Sequence, residues 1–155
     1  MAEKKELTPK EMAEAEVDAL VKKGLKALDD FASYDQEKID YIVAKMSVAG
    51  LDNHGILARK AIDETHRGCF EDKATKNLFA CEYVVNHMRH AKTVGIIDSD
   101  PVTGITEIAE PVGVIAGITP VTNPTSTVIF KSLISIKTRN PIIFEIGRAS
   151  CRERV

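Results

Sequence analysis

The chain has 155 residues, enough for one ordinary domain. Its 21 Lys and Arg stand against 23 Asp and Glu, a formal net charge of -2, so there is no basic field to recruit nucleic acid. Cys69, Cys81 and Cys151 are an odd, scattered set without CxxC spacing, which argues against a disulfide framework and against a structural zinc site.

The opening MAEKKELTPKEMAEAE mixes acids and bases and has no apolar core. It has the character of neither a signal peptide nor a transit peptide, so the expected compartment is the cytoplasm. Helical spacing follows in Val17, Leu20, Val21, Leu25, Leu28 and Phe31, which predicts an amphipathic helix over residues 9–31. Asp35 is placed to cap a second helix with Ile39, Ile42, Val43 and Met46 on one face, and Gly50 to stop it. Asn53 caps a third, through Ile56, Leu57 and Ile62 toward His66, before Gly68 breaks the pattern. A fourth, over residues 71–90, is expected to bury Leu78, Cys81, Val84, Val85 and Met88. Four helices followed by strands read as a helical layer laid against a sheet.

His54, His66, His87 and His90 lack the HExxH spacing of a helical metal site and read as surface residues. Cys81 lies on the apolar stripe of its helix and reads as core, while Cys69, beside Gly68, has no assigned place. Ser99-Asp100-Pro101 with Thr103-Gly104 is a turn by residue type. Residues 105–109 then alternate as a strand, and Glu110, at the junction after it, reads as structural.

From Val112 to Phe130 no residue is charged, although 28% of the chain is Asp, Glu, Lys or Arg. A membrane span is excluded by Pro120 and Pro124, which bracket Val121-Thr122-Asn123 and bar helix there. Residues 112–118 are short, β-branched and interspersed with glycine, which predicts a strand covered on both faces. Gly113 and Gly117 make only GxxxG, a close-packing signal and not a pyrophosphate fingerprint. Asn123 is placed as an N-cap and Pro124 as the first helical residue. Val128, Ile129, Leu133, Ile134 and Ile136 give that helix an apolar face, and Lys137 and Arg139 set positive charge at its carboxyl end, where the helix dipole favours cations. Asn140-Pro141 ends it, and residues 142–144 begin another buried strand.

A strand-helix-strand unit with a polar loop over residues 119–123 is the result. Ligands of open parallel sheets sit outside the carboxyl ends of the strands, and a helix start offers free N–H groups to phosphate or carboxylate. The loop and the first helical turn add hydroxyls from Thr119, Thr122, Thr125 and Ser126 and the amide of Asn123. No group in the loop titrates near neutral pH, so its chemistry is hydrogen bonding and not proton transfer. The alternative is a capped helix that needs those side chains only for itself.

The run AEPVGVIAGITPVTNPTSTVIFKSLISIKTRN resembles the acylating aldehyde dehydrogenase domain that opens the bifunctional aldehyde-alcohol dehydrogenases. ITEIAEP and ATKNLFACEYVVNHMRHAKTVGII upstream are similar to the same family, and the likeness extends over residues 29–144. The resemblance implies an α/β fold: a helical N-terminal layer followed by part of the Rossmann-like parallel sheet of the aldehyde dehydrogenase fold, truncated. Residues 1–144 would be the N-terminal part of that NAD-binding domain. It further implies an oxidoreductase interconverting acetyl-CoA and acetaldehyde with NAD, and ethanol in the full bifunctional protein, with coenzyme A as co-substrate. The cofactor-binding positions carried over are Ile118, Thr119, Pro120, Val121, Thr122 and Asn123. Asn123 is a candidate donor to a developing thiohemiacetal oxygen, with Thr122 the competing position. The nucleophilic cysteine is expected beyond residue 144, and metal only in the missing alcohol dehydrogenase domain. A homo-oligomer or filament is implied for the intact protein, and an inactive, poorly soluble fragment for this chain alone. The rival reading is a non-catalytic helical assembly module.

The last eleven residues, EIGRASCRERV, break the apolar pattern abruptly. They read as the translation of a sequencing-library adapter, so residues 145–155, Cys151 among them, are expected to be an artefact; a basic tail is the alternative.

Overall fold

The computed structural model describes residues 8–146. Helix α1 (Pro9–Ala32) opens with a capping box: the Thr8 hydroxyl accepts from Glu11 N–H, and the Glu11 carboxylate accepts from Thr8 N–H at 2.7 Å. Its inward row is Val21, Gly24, Leu28 and Phe31, of which only Gly24 is fully buried. A Cβ on Gly24 would stand 2.9 Å from Val114, so the glycine lets the helix lie against the segment that leads into the parallel sheet. Val17, Leu20 and Leu25, expected in the buried stripe, are exposed instead: Leu20 and Leu25 lie to either side of that row, and Val17 lies in line with it one turn before Val21.

A single 30-residue helix, α2 (Gln36–Thr65), replaces the two expected over this stretch. Gly50 does not stop it. A Cβ there would lie 2.5 Å from Cys81 Sγ, so the glycine marks close packing in mid-helix and not a terminus. Asn53 caps nothing: its amide donates back to Ala49 O at 2.8 Å. The helix ends at His66, whose left-handed φ of 53° precedes Gly68 at 75°.

The fourth expected helix is present with one irregularity. Helix α3 (Phe70–Leu78) runs through a π-helical turn, Phe79–Tyr83, into α4 (Val84–Met88). Ser47 Oγ donates to Cys81 O at 2.7 Å inside that turn, where the normal helical hydrogen-bond register is interrupted. Cys81 is in the core, as its stripe implies.

Ile39 and Val43 of α2 and Leu133 of α5 (Pro124–Lys137) form the centre of the core, flanked by Phe31, Met46, Met88, Ile129 and Ile136. Helices α2 and α3 and the π-helical turn thus pack on α5, which lies between them and the parallel strands, while α1 meets the second of those strands directly. Lys137 and Arg139 are not solvated cations at a helix end. Lys137 is 3% exposed and its ammonium meets Asp40 Oδ1 at 2.5 Å. Arg139, buried with φ 57°, donates to Ala109 O at 3.0 Å and lies 3.8 Å from the Glu110 carboxylate. The two cations instead fasten α5 to α2 and to the hairpin.

Strands β1 (Gly95–Asp100) and β2 (Ile105–Ala109) form an antiparallel hairpin, and β3 (Ile115–Thr119) pairs in parallel with β4 (Ile142–Ile146). The expected strand over residues 112–118 begins later, because Asn140 Oδ1 takes the N–H groups of Val112 and Gly113 at 2.8 and 3.0 Å. Nor is β3 covered on both faces: Gly117 and Thr119 are buried, while Ala116 and Ile118 are exposed. A Cβ on Gly117 would meet Ile142 at 2.8 Å, the close packing that its spacing implies. Strand β4 continues through Glu145 and Ile146, past the expected boundary at residue 144; residues 147–155, the rest of the stretch read as adapter, lie outside the described residues. No helix among the described residues is long and apolar enough to cross a membrane.

Candidate functional site

The β3–α5 bend lies at the carboxyl end of β3, where a crossover unit exposes the start of its helix. Ile115 N–H donates to Pro141 O at 2.8 Å. Backbone polar groups alternate in direction along a strand, so residues 115, 117 and 119 face β4, and 116 and 118 face the other edge. On that edge Lys131 Nζ donates to Ile118 O at 2.6 Å, while the Ile118 side chain is 62% exposed.

The six predicted cofactor positions are contiguous, Ile118 and Thr119 closing β3 and Pro120 to Asn123 making the bend, but their side chains differ in access. Thr119 is 2% exposed, and its hydroxyl is buried with no hydrogen-bond partner among the described residues. Pro120, Val121 and Asn123 are half-buried, and Thr122 is exposed. Pro124 opens the helix as expected. Asn123 precedes it with φ -138° and ψ 59°, but its side chain makes no cap hydrogen bond, so the N-cap is correct in place and wrong in chemistry. The Asn123 carboxamide oxygen accepts from Lys76 Nζ at 3.2 Å instead.

Three residues of α3 that the sequence reading did not single out hold this bend. Lys73 is 5% exposed, and its ammonium donates to Thr122 O at 2.7 Å. Lys76 meets Asn123, and the fully buried Asn77 accepts from Thr125 Oγ1 at 2.9 Å while donating to His54 O. Positions 73, 76 and 77 share one helix face by their i, i+3, i+4 spacing. That spacing was the available signal, though polar residues at it ordinarily indicate a solvated face.

The arrangement fits a nucleotide's phosphate or hydroxyl groups. Among the described residues no side chain caps the first turn of α5 and none partners the buried Thr119 hydroxyl, while the Thr122 hydroxyl is accessible. The Thr125 hydroxyl is committed to Asn77. Neither described cysteine lies in the bend. Cys81 is enclosed in the core, where burial pushes its thiol pKa up, the opposite of what a nucleophile requires; Cys69 stands exposed at the start of α3.

No family model matches the chain. Aldehyde-alcohol dehydrogenase 2 of Entamoeba histolytica is 68% identical over 130 residues, which cover 83% of this chain and 15% of that protein. The chain therefore spans about 15% of the length of such a curated relative. The acetylating aldehyde dehydrogenase of Geobacillus thermoglucosidasius superposes with a TM-score of 0.82 at 47% identity, over 84% of this chain and 29% of its own. An engineered glycolyl-CoA reductase solved with bound NADP+ superposes with a TM-score of 0.64 at 27% identity, over 82% of this chain and 29% of its own.

Proposed function

We propose that this chain, which belongs to the acylating aldehyde dehydrogenases and makes up part of such a domain, supplies one wall of a nicotinamide dinucleotide site. The intact protein would be a cytoplasmic, homo-oligomeric oxidoreductase that interconverts acetyl-CoA and acetaldehyde with NAD. Metal would belong to an alcohol dehydrogenase domain, and this chain by itself would be inactive.

The observation that carries the reading is the state of the bend: a helix start without a side-chain cap beside Ile118 to Asn123, with one buried hydroxyl unpartnered and another accessible. The NADP+ bound to the structurally similar glycolyl-CoA reductase supports a cofactor of this class. When bound, the nicotinamide accepts hydride. The chain's own residues bind and orient. First-turn N–H groups of α5 and the Thr122 hydroxyl offer donors to the ligand, and the half-buried Pro120 and Val121 exclude water beside it. The Asn123 carboxamide donates to the oxygen that gains charge when a thiolate adds to the aldehyde carbonyl.

The test is to titrate NAD against the intact enzyme carrying Thr122→Ala or Asn123→Ala and to follow turnover. Weaker binding from the first and slower turnover from the second are expected. Unchanged affinity together with unchanged turnover in both variants refutes the reading.

One observation favours a second reading, an assembly module. Helix α1 leaves Val17 and Leu20 exposed three residues apart on one face, apolar side chains suited to packing against another subunit. Sedimentation of the intact protein carrying Val17→Glu and Leu20→Glu separates the two: dissociation with turnover retained assigns α1 to assembly alone.

A further inference from the structure

We infer that the buried Lys73 supplies the counter-charge for an anion at the bend: its ammonium draws a pyrophosphate, that of the dinucleotide or of coenzyme A, to the first turn of α5. This rests on the reading of the bend given above and names the chemical group that the bend holds.

Three cations are buried among the described residues, and two of them are neutralised within the fold. Lys137 meets Asp40, and Arg139 lies 3.8 Å from Glu110. Lys73, 5% exposed, has no carboxylate partner among the described residues. Its hydrogen bond goes to Thr122 O at 2.7 Å, one acceptor for a group with three donors. The stretch it faces cannot supply the missing charge, because no residue from Val112 to Phe130 is acidic. A cation held out of water without an opposite charge is costly. An anion seated on the bend removes that cost.

The surroundings favour phosphate chemistry. The end of the Lys73 side chain runs past Gly68, its Cε 3.4 Å and its Nζ 3.8 Å from where a Cβ on that glycine would stand. The ammonium is thus held between the turn that precedes α3 and the carbonyl of Thr122. On the other side of the bend, Thr127 is the first residue of α5 whose N–H finds a helical acceptor, Asn123 O at 3.2 Å. The N–H groups of Thr125 and Ser126 have no acceptor among the described residues, and the Thr119 hydroxyl beside them, in a residue 2% exposed, has none either. Donors with a cation behind them and no acid among them select an anion over a neutral amide or hydroxyl. Burial keeps that attraction largely free of salt screening.

The experiment uses the intact enzyme with Lys73→Met, which removes charge and donor, and Lys73→Gln, which removes the charge and keeps an N–H for Thr122 O. It reads NADH and coenzyme A affinity by titration, and melting temperature with and without inorganic pyrophosphate. Affinity for one of the two ligands falls about tenfold in both variants, the size of effect that a contact to a charged group carries; the ligand that weakens identifies the source of the pyrophosphate. The ligand-free melting temperature holds or rises, because an uncompensated charge has left the interior. In the wild type, pyrophosphate raises the melting temperature, a measurement that needs no variant to fold. Normal affinity for both ligands in Lys73→Met overturns the proposal, and so does normal affinity in Lys73→Gln, which would show that only the hydrogen bond to Thr122 O matters. Weaker binding with a lowered ligand-free melting temperature assigns Lys73 to the fold alone and overturns it too, as does a wild-type melting temperature that pyrophosphate leaves unmoved. If Thr122→Ala and Asn123→Ala change neither affinity nor turnover, the reading of the bend is lost and the proposal with it; if those variants are impaired while Lys73→Met binds both ligands normally, the proposal alone is lost.

Discussion

Gly50 of α2 and Cys81 in the π-helical turn approach so closely that a Cβ on the glycine would lie 2.5 Å from the sulfur. Gly50→Ala should therefore destabilise the protein. Alanine gains about 1 kcal/mol of helix propensity over glycine, but overpacking a tight contact costs roughly 1–3 kcal/mol. Denaturant unfolding of the intact enzyme gives the net sign, and Cys81→Ala in the same chain should recover most of the loss by vacating the space.

Removing the partner of a buried ammonium leaves an uncompensated charge. Asp40→Ala strands Lys137, which is 3% exposed. Because the Asp40 side chain is 40% exposed, the expected loss is about 1–3 kcal/mol, below the range for a wholly buried pair. Lys137→Met, which removes the charge and keeps the volume, should cost less than Asp40→Ala in the same unfolding measurement.

Asn77 satisfies His54 O and the Thr125 hydroxyl from a fully buried position. Asn77→Ala leaves both without that partner and should cost roughly 1–3 kcal/mol. Since Thr125 lies in the first turn of α5, NADH affinity should fall with stability. A variant that loses stability and binds NADH normally would show that Asn77 serves the core alone.

Acid should loosen the β1–β2 hairpin at its turn. The Asp100 carboxyl is held below its ordinary pKa by the Thr103 hydroxyl first and the Val102 N–H next. A carboxylate whose pKa is depressed by folding contributes stability above its unfolded pKa, and loses that contribution as pH falls through the folded value. Amide exchange at Val102 should accelerate over that acid window and show no such step in Asp100→Asn.

The sequence made the β3–α5–β4 unit legible because its signals are local: Pro124 at the first helical position, Asn140-Pro141 at the end, and an uncharged run between flanking charges. The hairpin turn was equally plain from Asp100-Pro101 and Gly104. Gly50 misled because a glycine that ends a helix and one that admits a neighbour's sulfur look alike until the neighbour is placed. Lys137 and Arg139 were read through the helix dipole, whereas Asp40 and Ala109, 97 and 30 residues away in sequence, decide their surroundings. The bend itself was found, but its supports were not. Lys73, Lys76 and Asn77 reach it across about 47–49 residues of chain, and polarity on a helix carries no mark of what it faces.

Lys131, with its ammonium on Ile118 O along the edge of β3 away from β4, has a bearing on how a larger sheet is assembled. Any ribbon that pairs there must share the carbonyl with that side chain or displace it. The occupied carbonyl thus makes this edge of β3 a poorer template for edge-to-edge pairing between two copies of the chain.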